Sequence, residues 1–235
     1  MTNTSRGLAV VSGAGSGIGH AVVQDLAALG YQVLGLDLTA PKTPLSGIDL
    51  QIGDVTDWDW VSTVITSAVD RAGPVVALVP AAGIAGIVGN RLLSDPGKGR
   101  PILNVNIDGT LNLIYAAWPS MVAARRGAVV LVSSIAAMRG SRVVPVEYSA
   151  SKGAIESMVR HLSLTGGPDG IRVNGVAPGT IQTPMSDAFG APAVDAIPLG
   201  RVGTAAEVAA VVSFLLSDAA AFVSGSVVGV NGGMR

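Results

Sequence analysis

The sequence predicts an α/β domain built on a doubly wound parallel sheet of about seven strands with helices on both faces. Three observations carry this. Short β-branched runs alternate with longer runs at helical spacing, the sign of βαβ units. A glycine-rich turn joins the first run to the first helix, and the strand runs are almost continuously apolar, as befits a sheet covered on both sides.

Taken in order, Leu8 to Ser12 is the first strand. Gly17 to Leu29 repeats apolar residues at helical spacing and stops at Gly30 before the second strand, Gln32 to Asp37. Further strands are predicted at Val75 to Val79, Ala128 to Ser133, Ile171 to Ala177 and Val227 to Val230. Helices are predicted around Asp57 to Ala72, Ile102 to Ala124, Tyr148 to Leu164 and Ala205 to Ser217. Two stretches rich in Gly and Pro, Ala85 to Arg100 and Gly179 to Arg201, each follow a strand expected to end at the carboxyl edge of the sheet, where ligands of open α/β sheets bind.

With 235 residues the chain suits a single domain with a sizeable core. It is 49% hydrophobic and 13% charged with 31 glycines, which argues against disorder and against a charged coiled coil. A net charge of -1 offers no footprint for nucleic acid or an anionic membrane surface. Cysteine is absent, and the two histidines, His20 and His161, lack metal-binding spacing, so no metal site is expected. Despite a mean hydropathy of +0.54, the longest apolar stretch, Val75 to Gly89, is broken by Pro80 and is short for a membrane span. The first residues lack a signal-peptide pattern, so a cytoplasmic protein is expected.

Directly after the first strand comes Ser12-Gly13-Ala14-Gly15-Ser16-Gly17-Ile18-Gly19, with Gly13, Gly17 and Gly19 in a GxxxGxG pattern that opens a helix. Such a turn lets backbone approach a pyrophosphate at the positive end of the helix. Asp37 closes the second strand 18 residues after Gly19, where a carboxylate can accept hydrogen bonds from an adenosine ribose. Later, Tyr148-Ser149-Ala150-Ser151-Lys152 places a phenol and an ammonium one helical turn apart on one face. A lysine near a tyrosine favours phenolate, which brings acid/base chemistry toward neutral pH. Arg125 and Arg126 are expected to complement the dipole of the helix they end, and His161 to be a surface residue.

These residues resemble the short-chain dehydrogenases/reductases of the short, single-domain type, almost from end to end: SGAGSGIG, Asp37, Asp54-Val55, Asn106 in NVNIDG, Ser133-Ser134, YSASK, IRVNGVAPG, Thr183 and a closing VSGSVVGVNGG. The resemblance implies a Rossmann-like fold over residues 1–235 and a hydride transfer between NAD and a secondary alcohol or ketone. It implies Tyr148 as acid/base, and Lys152 lowering its pKa while binding the nicotinamide ribose. It further implies Ser134 bonding the substrate oxygen and Asn106 holding a relay water. Cofactor contacts would come from Gly13, Ser16, Gly17, Ile18, Gly19, Asp37, Leu38, Asp54, Val55, Ala82, Gly83, Tyr148, Lys152, Pro178, Gly179, Ile181 and Thr183. Members that bind a nucleotide without reacting are the alternative, and retention of all four polar catalytic candidates argues against it. An extended-type epimerase would need a further C-terminal substrate domain.

The chain departs from the family pattern in places. Pro80-Ala81-Ala82-Gly83 stands where the family usually has Asn-Asn-Ala-Gly, leaving any cofactor contact there to backbone. Ser134 and Tyr148 are 14 residues apart, one more than expected, which keeps Ser133 open as a substitute. The usual Glu is missing from HLSLTGG. The family surfaces imply a homotetramer, with a dimer as second choice. Met138, Val143, Val144, Met185 and Phe189 are expected to line an apolar pocket. A cyclic or hydrophobic alcohol is therefore expected, with a slight similarity to hydroxysteroid dehydrogenases.

Overall fold

The computed structural model describes residues 6–41, 44–86, 96–189 and 193–234. Strands β1 (Leu8–Ser12), β2 (Gln32–Asp37), β3 (Asp49–Ile52), β4 (Val75–Pro80), β5 (Gly127–Val132), β6 (Ile171–Pro178) and β9 (Val227–Val230) form a parallel sheet in the order β3-β2-β1-β4-β5-β6-β9. The chain winds outward from β1 in one direction and from β4 in the other, so a crevice opens between the carboxyl ends of β1 and β4. The sheet is flanked by α1 (Gly17–Ala28), α2 (Trp58–Ala72), α4 (Gly109–Ala124), α6 (Val146–Gly166) and α8 (Ala205–Leu216).

Period-two alternation sends the side chains of β1 into two cores. Leu8 and Val10 pack with Leu34 and Leu36 of β2 against Ile65 of α2, Leu113 of α4 and Ile155 of α6. Ala9 and Val11 pack with Val33 against Val22 and Leu26 of α1 and Val212 and Leu215 of α8. All five residues of β1 are buried, which accounts for the unbroken apolar run in the sequence.

Two elements escaped the sequence pattern. The seventh strand, β3, reads Asp-Leu-Gln-Ile and pairs only with β2, so as an edge strand it is half-exposed and carries no apolar run. The single helix expected from Ile102 to Ala124 is instead α3 (Pro96–Leu103), a π-helical turn at Asn104–Asp108 and then α4. The irregular stretches are partly ordered: α3 occupies the end of one. The other holds a two-residue ribbon of β7 (Ile181–Gln182) and β8 (Gly203–Thr204), with α7 (Pro184–Asp187) beside it. Residues 87–95 and 190–192 of those stretches lie outside the described residues.

Both ends of α8 are tied down. Thr204 and Glu207 form a reciprocal capping box at its start, and Arg201 donates to both Glu207 oxygens, at 3.0 and 2.6 Å. At its other end the half-buried guanidinium of Arg172, on β6, donates to the carbonyls of Leu215 at 2.7 Å, Leu216 at 3.3 Å and Ser217 at 3.1 Å. One cation thus satisfies the orphan acceptors of a helix end. Arg172→Ala is expected to destabilise the protein by about 2 to 3 kcal/mol, read from chemical denaturation. Arg125, by contrast, does not serve its own helix as expected. It is the left-handed C-terminal residue of α4, and its guanidinium reaches the Pro168 carbonyl at 2.8 Å and Asp169 at 3.5 Å.

Candidate functional site

The glycine turn is shaped by close approach. Gly13 has φ +70, and a Cβ there would lie 2.9 Å from the backbone of Ala81 and Ala82; a Cβ on Gly19 would collide with the Gly13 carbonyl. Ser16 caps α1 with extended backbone and makes no side-chain cap bond, so its hydroxyl and the first N–H groups of α1 face outward. Among the described residues the N–H groups of Gly17 and Ile18 have no acceptor. That is the donor set a pyrophosphate needs, so the turn fits a dinucleotide.

The adenosine side of the crevice follows from strand register. Asp37 Oδ2 accepts the Gly15 N–H at 2.8 Å, and Oδ1 accepts the Thr39 N–H at 2.9 Å and its hydroxyl at 3.3 Å. The carboxylate is therefore braced against the glycine turn. The Gly53 N–H donates to the Asp37 carbonyl at 2.8 Å, which sets exposed Leu38 beside exposed Asp54 and buried Val55 at neighbouring strand ends. Asp54 accepts the Thr56 N–H at 2.9 Å, and Asn112 donates to the Val55 carbonyl at 3.0 Å.

The polar cluster forms where β5 meets α6. Ser134 lies beside Tyr148, which is only 9% exposed, and its Oγ accepts the Ala136 N–H at 3.2 Å. Ser133 points elsewhere, donating to the Lys152 carbonyl at 3.1 Å and to Glu156 at 3.2 Å. Residues 138–143, between Ser134 and Tyr148, are exposed, and of the two serines it is Ser134 that lies beside Tyr148. Asn106 sits in the π-helical turn with its amide committed: it donates to Ser151 Oγ at 2.9 Å and the Ile84 carbonyl at 3.1 Å, and accepts the Ile84 N–H at 2.9 Å. Its main-chain carbonyl accepts the Thr110 hydroxyl at 2.9 Å.

Burial governs the titration of this cluster. It pushes the Tyr148 phenol above its ordinary value of 10.0, and the neighbouring Ser134 hydroxyl offsets part of that rise. The expected lowering of Tyr148 by Lys152 is thus outweighed in the chain alone: the ammonium lies 5.7 Å from the ring centroid and donates to the Val132 carbonyl at 2.8 Å. Lys152 itself is pulled from 10.5 to about 8 by burial. Its charged form is the penalised one, so the unfolded chain holds the proton more tightly between pH 8 and 10.5. The penalty is complete below the folded value and fades as pH rises toward the unfolded one. Lys152→Met is therefore expected to raise the melting temperature at pH 7, recovering part of about 3 kcal/mol, while abolishing turnover. Near pH 10 the gain should vanish, which a pH series of thermal melts reads directly.

The far wall completes the crevice. Pro178 ends β6 and Gly179 follows it, with the Ile135 N–H bonded to the Pro178 carbonyl at 2.9 Å and the Gly179 N–H to the Val230 carbonyl at 3.0 Å. Buried Ile181 follows, and Thr183 caps α7 through a capping box with Ser186. A Cβ on Gly17 would meet the Thr183 methyl at 3.3 Å, so this wall rests on the glycine turn. Around Tyr148 an apolar cluster joins Ala85, Ile102 and Ala136 with Val144 and Phe189, whereas Met138, Val143 and Met185 are exposed nearer the rim. Among the described residues no group of side chains suits a metal ion.

A family model described as enoyl-(acyl carrier protein) reductase matches residues 13–235. The chain belongs to the short-chain dehydrogenase/reductase family. It is 36% identical over 244 residues to an uncharacterized short-chain type dehydrogenase/reductase, y4mP, of Sinorhizobium fredii, with 96% of each chain covered. It is 33% identical over 240 residues to the 3-oxoacyl-[acyl-carrier-protein] reductase FabG of Thermotoga maritima, again with 96% of each covered. Among solved structures, levodione reductase superposes with a TM-score of 0.90 at 27% identity, covering 97% of each chain. Membership in this family of oxidoreductases brings a nicotinamide dinucleotide as the cofactor class.

As a short-chain dehydrogenase/reductase, the chain uses positioning residues that motif reading passed over. Ser12 Oγ accepts the Ala82 N–H at 3.0 Å, holding the Pro80 to Gly83 segment where the family's amide side chains are missing. Ser151 links Asn106 to the Tyr148 carbonyl, which it reaches at 2.7 Å. Both lie inside quoted motifs, yet their partners are 70 and 45 residues away, beyond the reach of local pattern.

Proposed function

We propose that the chain is an NAD-dependent dehydrogenase that interconverts a secondary alcohol and a ketone. The observation that carries this reading is Ser134 beside buried Tyr148, with buried Lys152 one helical turn along, in a crevice whose other end is a dinucleotide turn. The cofactor supplies or accepts the hydride. Ser134 orients the substrate oxygen and Tyr148 donates its proton to that oxygen in the ketone direction, or takes it up in the alcohol direction. The Lys152 ammonium stabilises the phenolate left behind, and Asn106 holds the segment at Ile84 against α6 while its carbonyl offers a lone pair to a relay water.

The apolar wall of Ala85, Ile102, Ala136, Val144 and Phe189 favours a hydrophobic or cyclic group beside the reacting carbon. Screening secondary alcohols and ketones for the absorbance change of the nicotinamide tests the reading; turnover of no member of a broad panel would count against it. A regulator of the same fold has no need of the proton-transfer set. A cytoplasmic homotetramer completes the proposal. Leu164 at 80% exposure, Phe222 fully exposed and Tyr115 at 59% are apolar surface that assembly would cover. Light scattering at micromolar protein should give four times the chain mass. Among the described residues no helix is long and apolar enough to cross a membrane.

A further inference from the structure

The geometry points to a substrate that carries an anionic group, a carboxylate or its equivalent, bound by Arg139 and Arg142 at the rim of the Tyr148 pocket. This deepens the dehydrogenase reading and rests on it. The segment from Ser134 to Val146 leaves the apolar cluster at Ala136 and returns to it at Val144, and both of these residues pack with Tyr148. What lies between is therefore the solvent-facing lip of the pocket. Residues 138–143 are all exposed. The loop's course is set by Gly140, at φ +69, and by the Ser141 hydroxyl, which accepts the N–H groups of Val143 at 3.1 Å and Val144 at 3.3 Å.

Two guanidinium groups stand on this lip and no acid does, for Ser134 to Val146 contains neither Asp nor Glu. Among the described residues neither Arg139 nor Arg142 forms an ion pair or a side-chain hydrogen bond. The acids nearest along the chain do not neutralise them. Glu147 packs over Gly99 of α3 and Glu156 accepts the Ser133 hydroxyl at 3.2 Å, and neither forms an ion pair with these arginines. An apolar pocket with a proton donor at its base and two unpaired guanidiniums at its lip matches a keto or hydroxy acid: the carbon chain against the wall, the carbonyl at Tyr148, the anion at the fork-shaped donors.

The test compares acetoacetate and levulinate with their uncharged methyl esters. In the chain as it stands, kcat/KM for NADH oxidation should favour at least one acid over its ester by about 10-fold to 100-fold, through KM more than kcat. In the Arg139→Gln, Arg142→Gln double variant that ratio should fall toward one, and Arg→Lys at both positions should restore part of it. Binding is read separately by titrating each acid calorimetrically onto the protein saturated with oxidised NAD, a pairing in which no hydride can move. The acid's Kd should weaken at least 10-fold in the double variant and the ester's should not follow. Equal binding of acids and esters, or acid binding indifferent to the double variant, overturns the anion site and leaves the dehydrogenase reading standing. Arginine-dependent acid binding with no NADH oxidation of any acid, ester or other ketone would do the reverse.

Discussion

Tyr148→Phe is expected to reduce turnover about 1000-fold or more while leaving cofactor affinity within about twofold. The substitution removes one oxygen and its transferable proton but keeps the ring, which is buried against Ala85, Ile102 and Ala136 and so should hold α6 in place. Burial holds the phenol above its ordinary value, so the chain alone keeps the proton on Tyr148 at neutral pH, poised for ketone reduction. Alcohol oxidation instead needs the phenolate, and the Lys152 ammonium is the cation available to favour it. Because Lys152 itself titrates near pH 8, that support weakens above this value. Initial rates from nicotinamide absorbance, paired with a fluorescence titration of the cofactor, separate the two effects. A variant retaining a tenth or more of the parent kcat would refute the role given to Tyr148.

The reach of the sequence follows from where each constraint is written. The sheet was legible because its central strands are buried on both faces and must be apolar, so β1 reads as Leu-Ala-Val-Val-Ser. The edge strand β3 was not, since pairing on one side leaves its side chains in water and imposes no pattern. In the same way Gly13, Gly17 and Gly19 announce the dinucleotide turn, because only glycine tolerates those approaches. The choice between Ser133 and Ser134 was not available from spacing. It rests on the directions of two adjacent side chains, one toward Tyr148 and one toward Glu156. The π-helical turn at Asn104–Asp108 was equally hidden. It is fixed by long-range bonds from Asn106 to Ile84 and Ser151, while local periodicity runs on as helix.

NAD is expected to be preferred over NADP by roughly 30-fold to 1000-fold in affinity, about 2 to 4 kcal/mol, and the residue responsible is Asp37. Its carboxylate is anchored by the Gly15 N–H, the Thr39 N–H and the Thr39 hydroxyl, so it cannot swing away from a ligand at the end of β2. A ribose hydroxyl can donate to it. A phosphate in the same place meets a fixed like charge, and the neighbouring donors it would need are already committed to Asp37. Among the described residues no cation is shown to compensate: the turn from Ser12 to Gly19 contains none, exposed Leu38 follows Asp37, and His20 Nδ1 is 3.2 Å from the Ala14 carbonyl. Asp37→Ala should therefore narrow the gap in two ways, by removing the repulsion and by releasing the Gly15 and Thr39 donors to a phosphate. It should also weaken NAD, because the glycine turn loses its brace. Adding Leu38→Arg to that change should narrow the gap further, since position 38 is open to solvent beside the ribose end of the crevice. Equal dissociation constants for NAD and NADP in the unmutated protein, measured by fluorescence titration, would show that the brace on Asp37 serves the turn alone and that its carboxylate does not read the ribose.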